Sequence, residues 1–187
     1  MTDYKAVIIG GSAGSFQVVT KIVSSLPANF PLPVILCLHR LKHVRSGFVE
    51  ALSIKAAMQI VEPTDKEPIK TGKIYLAPAN YHLYVELGNR FALSTEDVVN
   101  HSRPSIDLSF FSASYNYKKK LVGIILSGAN KDGAMGLKSV KENGGLTIVQ
   151  DPNECQVPTM TLASMNATQV DHVFSTPKIV DFLLNLT

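Results

Sequence analysis

Short runs of β-branched and apolar residues alternate along this chain with segments whose apolar positions repeat at helical spacing. That alternation is the pattern of strands in a parallel sheet covered on both faces by helices. It predicts strands over residues 5–10, 33–38, 73–77, 121–126 and 146–150. After the first strand, Val18, Val19, Ile22, Val23 and Leu26 form a helical stripe that Pro27 stops. Further helices are expected over residues 46–58, 106–117, 134–143 and 177–186, the third of these closed by Gly144-Gly145. Residues 82–95 break the order. Two alternating segments there flank Gly88-Asn89, so an antiparallel hairpin is expected, forming an antiparallel edge. The fold class that follows is a doubly wound, mostly parallel α/β sheet with that hairpin added.

A length of 187 residues fits one domain, and 45% hydrophobic residues supply a substantial core. No repeat or linker interrupts it, and the stretch from Pro63 to Pro68 reads as a surface loop. A net charge of +3, with Lys118-Lys119-Lys120 as the basic run, argues against a nucleic-acid partner; those lysines are expected to end a helix and face water. Cys37 and Cys155 lack the spacing of a zinc site or redox pair and are expected to be reduced, in a cytoplasmic protein. The N-terminal residues carry no signal-peptide pattern, and no apolar stretch reaches about 18 residues. Export and membrane insertion are therefore not expected.

Chemistry is first suggested by Gly10-Gly11-Ser12-Ala13-Gly14-Ser15, between the first strand and its helix. A serine in a glycine-rich strand-to-helix turn matches the nucleophile-elbow pattern. Small neighbours let a substrate approach, and the helix start offers N–H groups to a developing oxyanion. The same turn would serve as a simple phosphate-binding loop. A dinucleotide fingerprint is disfavoured, because Ser12 and Ser15 stand where glycines are needed and His39-Arg40 ends the second strand where an acid is expected.

A serine nucleophile needs a base, and His39 follows Val34-Ile35-Leu36-Cys37-Leu38 at the same sheet edge. The alternative is a loop histidine bound to a carbonyl. His82 opens the hairpin, while His43, His101 and His172 are placed in loops. His39 and His43 have helical spacing, but Arg40 replaces the expected glutamate and no third ligand suggests itself, so a metal is not expected. The base in turn needs an acid. Asp132 lies in Ser127-Gly128-Ala129-Asn130-Lys131-Asp132-Gly133, after the strand at 121–126. It reads either as that acid or as a helix N-cap. Asp107, at a helix start, and Asp151, in an Asp-Pro turn, are its rivals. Three residue types required for acyl transfer thus fall where consecutive α/β units open their ligand crevice.

Over nearly its whole length the chain resembles the chemotaxis-type protein-glutamate methylesterases. The matching pieces are Ile8-Ile9-Gly10-Gly11-Ser12-Ala13-Gly14, Leu38-His39, Gly72-Lys73-Ile74-Tyr75-Leu76-Ala77-Pro78 with His82, Arg103-Pro104-Ser105-Ile106-Asp107, Leu126-Ser127-Gly128, Asp132-Gly133-Ala134-Met135-Gly136 and Gln150-Asp151. The resemblance implies a Ser12–His39–Asp132 triad without a cofactor. It also implies hydrolysis of γ-glutamyl methyl esters on the cytoplasmic helices of methyl-accepting chemoreceptors, with deamidation of glutamine in some members. The chain departs from the family pattern at Ala13, Ser15, Ala129-Asn130 and Thr159-Met160-Thr161. The receiver domain that often precedes such domains is not expected here, and no regulatory partner is named by the sequence.

The mechanism expected is attack by Ser12 with His39 as base, the oxyanion held by backbone near Gly11, Ala13, Gly14 and Ala129. Its rate should fall in acid as the imidazole takes up a proton. Arg40 and Arg103 read either as partners for acidic substrate residues or as solvated surface arginines. Two other functions remain open: a hydrolase of other small esters or amides, and a non-catalytic signalling module.

Overall fold

The computed structural model describes residues 3–40 and 47–186. In chain order its strands are β1 (Ala6–Gly11), β2 (Val34–Leu38), β3 (Gln59–Val61), β4 (Lys73–Leu76), β5 (His82–Glu86), β6 (Arg90–Ser94), β7 (Leu121–Ile125), β8 (Leu146–Gln150) and β9 (His172–Phe174). The helices are α1 (Phe16–Ser25), α2 (Phe48–Ser53), α3 (Ile106–Tyr117), α4 (Ala134–Glu142), α5 (Thr159–Ala167) and α6 (Thr176–Leu184).

Seven strands form one parallel sheet in the order β3-β4-β2-β1-β7-β8-β9. From β1 the chain fills one side of the sheet with β2, β3 and β4, β4 lying between β2 and the edge strand β3, then returns and builds outward on the other side through β7, β8 and β9. The reversal leaves a crevice at the carboxyl ends of the central strands, where open α/β sheets bind ligands. Alternation along β1 sends Val7 and Ile9 into a core with Val19, Ile22, Val23, Ile179 and Leu183. Ala6 and Ile8 enter the opposite core with Ile106, Phe110, Leu137 and Val140. Each of the larger of these buried side chains, valine, leucine, isoleucine or phenylalanine, stabilises the fold by about 1.5–3 kcal/mol relative to exposure.

All five expected strands and the span of α3 are present. Four features differ from the sequence reading. The helix expected over 46–58 is only Phe48–Ser53, while residue 46 lies outside the described residues and Gln59 already begins β3. The short outer strands β3 and β9 and the helix α5 were not anticipated. His172, expected in a loop, belongs to β9 and stacks on Phe174 at 4.6 Å. The hairpin β5–β6 is a two-stranded sheet of its own, not an edge of the main sheet. It packs on α3 through Leu83, Val85 and Phe91. The lysines at 118–120 form an exposed single turn, as expected.

Candidate active site

Parallel pairing fixes the two sides of the crevice. Gly11 lies opposite Leu38 in the β1–β2 register, and the His39 N–H continues the ladder by donating to the Gly11 carbonyl at 3.1 Å. The residue after each of these strands is therefore Ser12 on one and His39 on the other. On the far side of β1, Gly10 lies opposite Ile125 of β7, whose following loop carries Asp132.

Ser12 is half-buried. Its N–H donates to the Ser127 carbonyl at 2.9 Å, and its carbonyl accepts from the Ser15 N–H and hydroxyl at 3.0 and 2.7 Å. Ser127 also ties down the turn, because its hydroxyl bonds the Ala13 carbonyl at 2.8 Å. Gly14 has φ +80, and a Cβ there would stand 2.6 Å from Gln156 Cβ and 2.8 Å from Ser127 Oγ. A glycine is needed both for the backbone conformation and for the space. Among the described residues no backbone acceptor takes the N–H of Ala13 or of Gly14. Both remain available to an anion at the start of α1. Ala129 is exposed in the loop after β7.

His39 Nε2 lies 2.8 Å from Asp132 Oδ2. Asp132 is fully buried, and each of its oxygens has further donors. Oδ2 accepts from the Ile106 N–H at 2.7 Å, while Oδ1 accepts from Asn100 Nδ2, Ser105 Oγ and the Asp107 N–H at 3.0, 3.0 and 3.1 Å. Burial works to raise its pKa, but the hydrogen bonds from His39, Asn100 and the two N–H groups outweigh it. The carboxyl is held below the ordinary aspartate value. Asp132 does not cap α4, whose preceding residue is Gly133. It sits instead at the N-terminus of α3, where the free N–H groups and the helix dipole favour a negative charge.

With Nε2 given to Asp132, the other imidazole nitrogen is the one left for proton transfer. Nδ1 lies 3.3 Å from Ser102 Oγ. Among the described residues the hydroxyl within hydrogen-bond distance of that nitrogen is that of Ser102, and Ser12 Oγ makes no hydrogen bond to the ring. The structure thus joins His39 to Asp132 directly and brings Ser12 to the neighbouring strand end without a direct bond.

Ser102 and Asn100 were missed by sequence reasoning. They belong to a tight turn in which Val99 and Ser102 exchange N–H···O bonds of 3.1 and 2.9 Å, with Asn100 and His101 between them at φ +51 and +62. Asparagine and histidine are among the non-glycine residues that tolerate this region best. The dipeptide Asn100-His101 is the one signal that could have marked the turn. Asp107, correctly placed at a helix start, also belongs to this cluster. Its Oδ2 accepts from Asn100 at 2.9 Å, and its Oδ1 from the Gly133 and Gly136 N–H groups at 2.9 and 2.7 Å. Burial and the nearby Asp132 charge raise its pKa despite these bonds.

The two arginines separate. Arg40 is not a solvated surface arginine: its side chain is 2% exposed and bonds Glu62 at 2.6 Å and the Ala77 carbonyl at 2.7 Å. Arg103 donates through Nη1 to the Thr95 and Glu96 carbonyls at 2.7 and 2.9 Å. Both have a buried Nε–H with no acceptor. His82 is buried, with Nε2 2.9 Å from the Asp97 carbonyl and Nδ1 accepting from the Ser105 N–H, so it supports the same loop. His43 lies outside the described residues. Asp151 caps the turn at 152–154. Cys37 is buried, which pushes its thiol up to about 12, and neither cysteine forms a disulfide. Among the described residues no cluster of three or more His, Cys, Asp and Glu could hold a metal, and no helix is long and apolar enough to cross a membrane.

Residues 7–183 match the family model described as CheB methylesterase. A putative protein-glutamate methylesterase/protein-glutamine glutaminase of Leptospira interrogans is 42% identical over 184 residues, which are 98% of this chain and 95% of the relative. The protein-glutamate methylesterase/protein-glutamine glutaminase of Clostridium acetobutylicum is 31% identical over 182 residues, 97% of this chain. The match covers 53% of that relative, so the chain spans about half its length. The crystal structure of the Thermotoga maritima CheB methylesterase catalytic domain superposes with a TM-score of 0.93 at 32% identity, covering 98% of this chain and 99% of the other.

Proposed function

The chain belongs to the CheB methylesterase family, and on that premise we propose that it hydrolyses γ-methyl esters of glutamate on the cytoplasmic helices of chemoreceptors. The same chemistry extends to the γ-amide of glutamine, as the names of its relatives state. Residues 1–187 are read as one catalytic domain acting in the cytoplasm.

Ser12 Oγ attacks the ester carbonyl while His39 takes its proton on Nδ1, and the new oxyanion is met by the Ala13 and Gly14 N–H groups. The imidazolium so formed is stabilised by Asp132 through Nε2. His39 then returns the proton to the departing methoxide, methanol leaves, and an acyl-Ser12 ester remains. Water attacks that ester with His39 again as base, which frees Ser12 and a glutamate side chain. The proton must travel through the imidazole face that Ser102 occupies, so Nδ1 exchanges the Ser102 hydroxyl for that of Ser12. Catalytic hydrogen bonds are often looser before substrate binds.

The observation that carries this reading is the 2.8 Å His39–Asp132 pair, its carboxylate held ionised, at the strand end adjoining Ser12. The test is methanol release from a methylated chemoreceptor fragment by the wild-type protein and by Ser12→Ala. Release from the wild type alone supports the proposal. A folded wild type that releases none refutes it, and activity on small model esters only would favour a hydrolase for another substrate.

A further inference from the structure

Arg103 carries a positive charge that no carboxylate meets among the described residues. Its Nη1 is fixed by two neutral carbonyls, those of Thr95 and Glu96. The Glu96 carboxylate makes no ion pair with Arg103 and accepts instead from the Tyr84 hydroxyl at 2.9 Å. Two donating positions of the guanidinium are therefore uncommitted: Nε, buried and without an acceptor, and Nη2. Since Nε is shut off from solvent, the Nη2 N–H groups are the ones left to a carboxylate in a charge-assisted bond.

That guanidinium lines a cavity of about 450 Å³ together with Asn80, Tyr81, Thr95 and Glu62. The volume exceeds what one acidic side chain needs, and the lining is mostly polar. Glu62 is already paired with Arg40, so the negative group in the wall is itself met by a cation. The cavity also has a fixed relation to the reaction. Arg103 follows Ser102, whose hydroxyl touches His39, and Arg40 follows His39 directly.

We propose that this cavity is a carboxylate-binding subsite in which Arg103 takes an acidic side chain of the protein substrate next to the esterified glutamate. The subsite rests on the methylesterase reading of the neighbouring residues and adds a substrate preference to it. On a helical substrate the acidic residue would stand one turn from the ester, where side chains share a face. Arg40, with its carboxylate partner and near-complete burial, supports the wall and takes no part in binding.

The test compares two synthetic peptides, each with a central γ-methyl glutamyl ester, one with glutamate and one with alanine a helical turn away on both sides. The wild type should favour the acidic peptide by about tenfold in kcat/KM, the size expected of one charge-assisted pair. Added salt should erode that ratio. In Arg103→Gln the ratio should approach one. In Arg103→Lys, which keeps the charge but loses the Nη2 donors, it should fall only partly. Melting curves of each variant establish that it is folded, and Arg103→Lys carries the test if Arg103→Gln is not. A wild-type ratio near one, or a ratio unchanged in the variants, overturns the proposal. If neither peptide is hydrolysed, the reaction assigned above fails on its own. The subsite is then decided by titrating the same peptides without the ester: tighter binding of the acidic one, lost in Arg103→Gln, upholds it, and equal binding overturns it.

Discussion

Asp132 and Asp107 each cap the helix that the other's loop begins. Asp132, from the segment leading into α4, accepts the Ile106 and Asp107 N–H groups at the start of α3. Asp107, in the first turn of α3, accepts the Gly133 and Gly136 N–H groups at the start of α4. Asn100 donates to both carboxylates and closes the arrangement. The carboxylate paired with His39 is therefore held at the start of α3, while Asp107 ties that same helix start to α4, so its position depends on the packing of α3 against α4.

Replacing Asp132 with asparagine puts an amide donor where two acceptor oxygens are now used. kcat should fall by about 10³–10⁴-fold, as expected when a catalytic imidazole loses its orienting acid. Stability should fall by about 2–4 kcal/mol from the donors left unmet. Steady-state kinetics and urea unfolding of Asp132→Asn check both.

The two carboxylates respond oppositely to pH. Asp132 has a lowered folded pKa, so its contribution to stability is present above the unfolded value and is lost as pH falls through the folded one. Asp107 has a raised folded pKa, so its contribution is fullest below the unfolded value and is lost as pH rises through the folded one. Urea midpoints measured from about pH 3 to about pH 7 should therefore show the deficit of Asp132→Asn shrinking toward acid. The deficit of Asp107→Asn should shrink toward neutrality. Parallel curves for the two variants would contradict the assignment.

Ser102 lies against His39 Nδ1, the nitrogen to which the proposed reaction sends the proton of Ser12, and that reaction does not use the Ser102 hydroxyl. Ser102→Ala should keep kcat within about threefold of wild type, or raise it, because a competing hydroxyl is removed. A loss of about 100-fold or more would show that this hydroxyl is required. Rates on a single glutamyl ester substrate decide between the two.

Gly14 shapes the turn that presents Ser12. Gly14→Ala forces a side chain into φ +80 and within 2.6 Å of Gln156. The expected cost is about 1–3 kcal/mol, with a fall in rate because the Ala13 and Gly14 N–H groups shift. Thermal melting and kcat measured together should both drop.

The sheet was legible because its inner strands are buried on both faces and read as unbroken apolar runs. The strands that went unread, β3 and β9, are three residues long and lie at the two edges. α5 was missed because its apolar residues Met160, Leu162 and Met165 are interleaved with threonine, serine and asparagine and form no stripe. Ser12, His39 and Asp132 could be placed together because each follows a readable strand. Asn100 and Ser102 could not, since a two-residue turn in left-handed backbone delivers them. The mutual capping of Asp107 and Asp132 is likewise a product of helix packing, which local sequence does not encode.

Ser12 as the nucleophile is open to labelling by a serine-directed organophosphorus probe. After reaction with the folded protein and proteolysis, mass spectrometry should find the adduct on the peptide containing Ser12. An adduct on the peptide containing Ser102, whose hydroxyl lies beside His39 Nδ1, would rule out Ser12 as the nucleophile, as would the absence of any adduct.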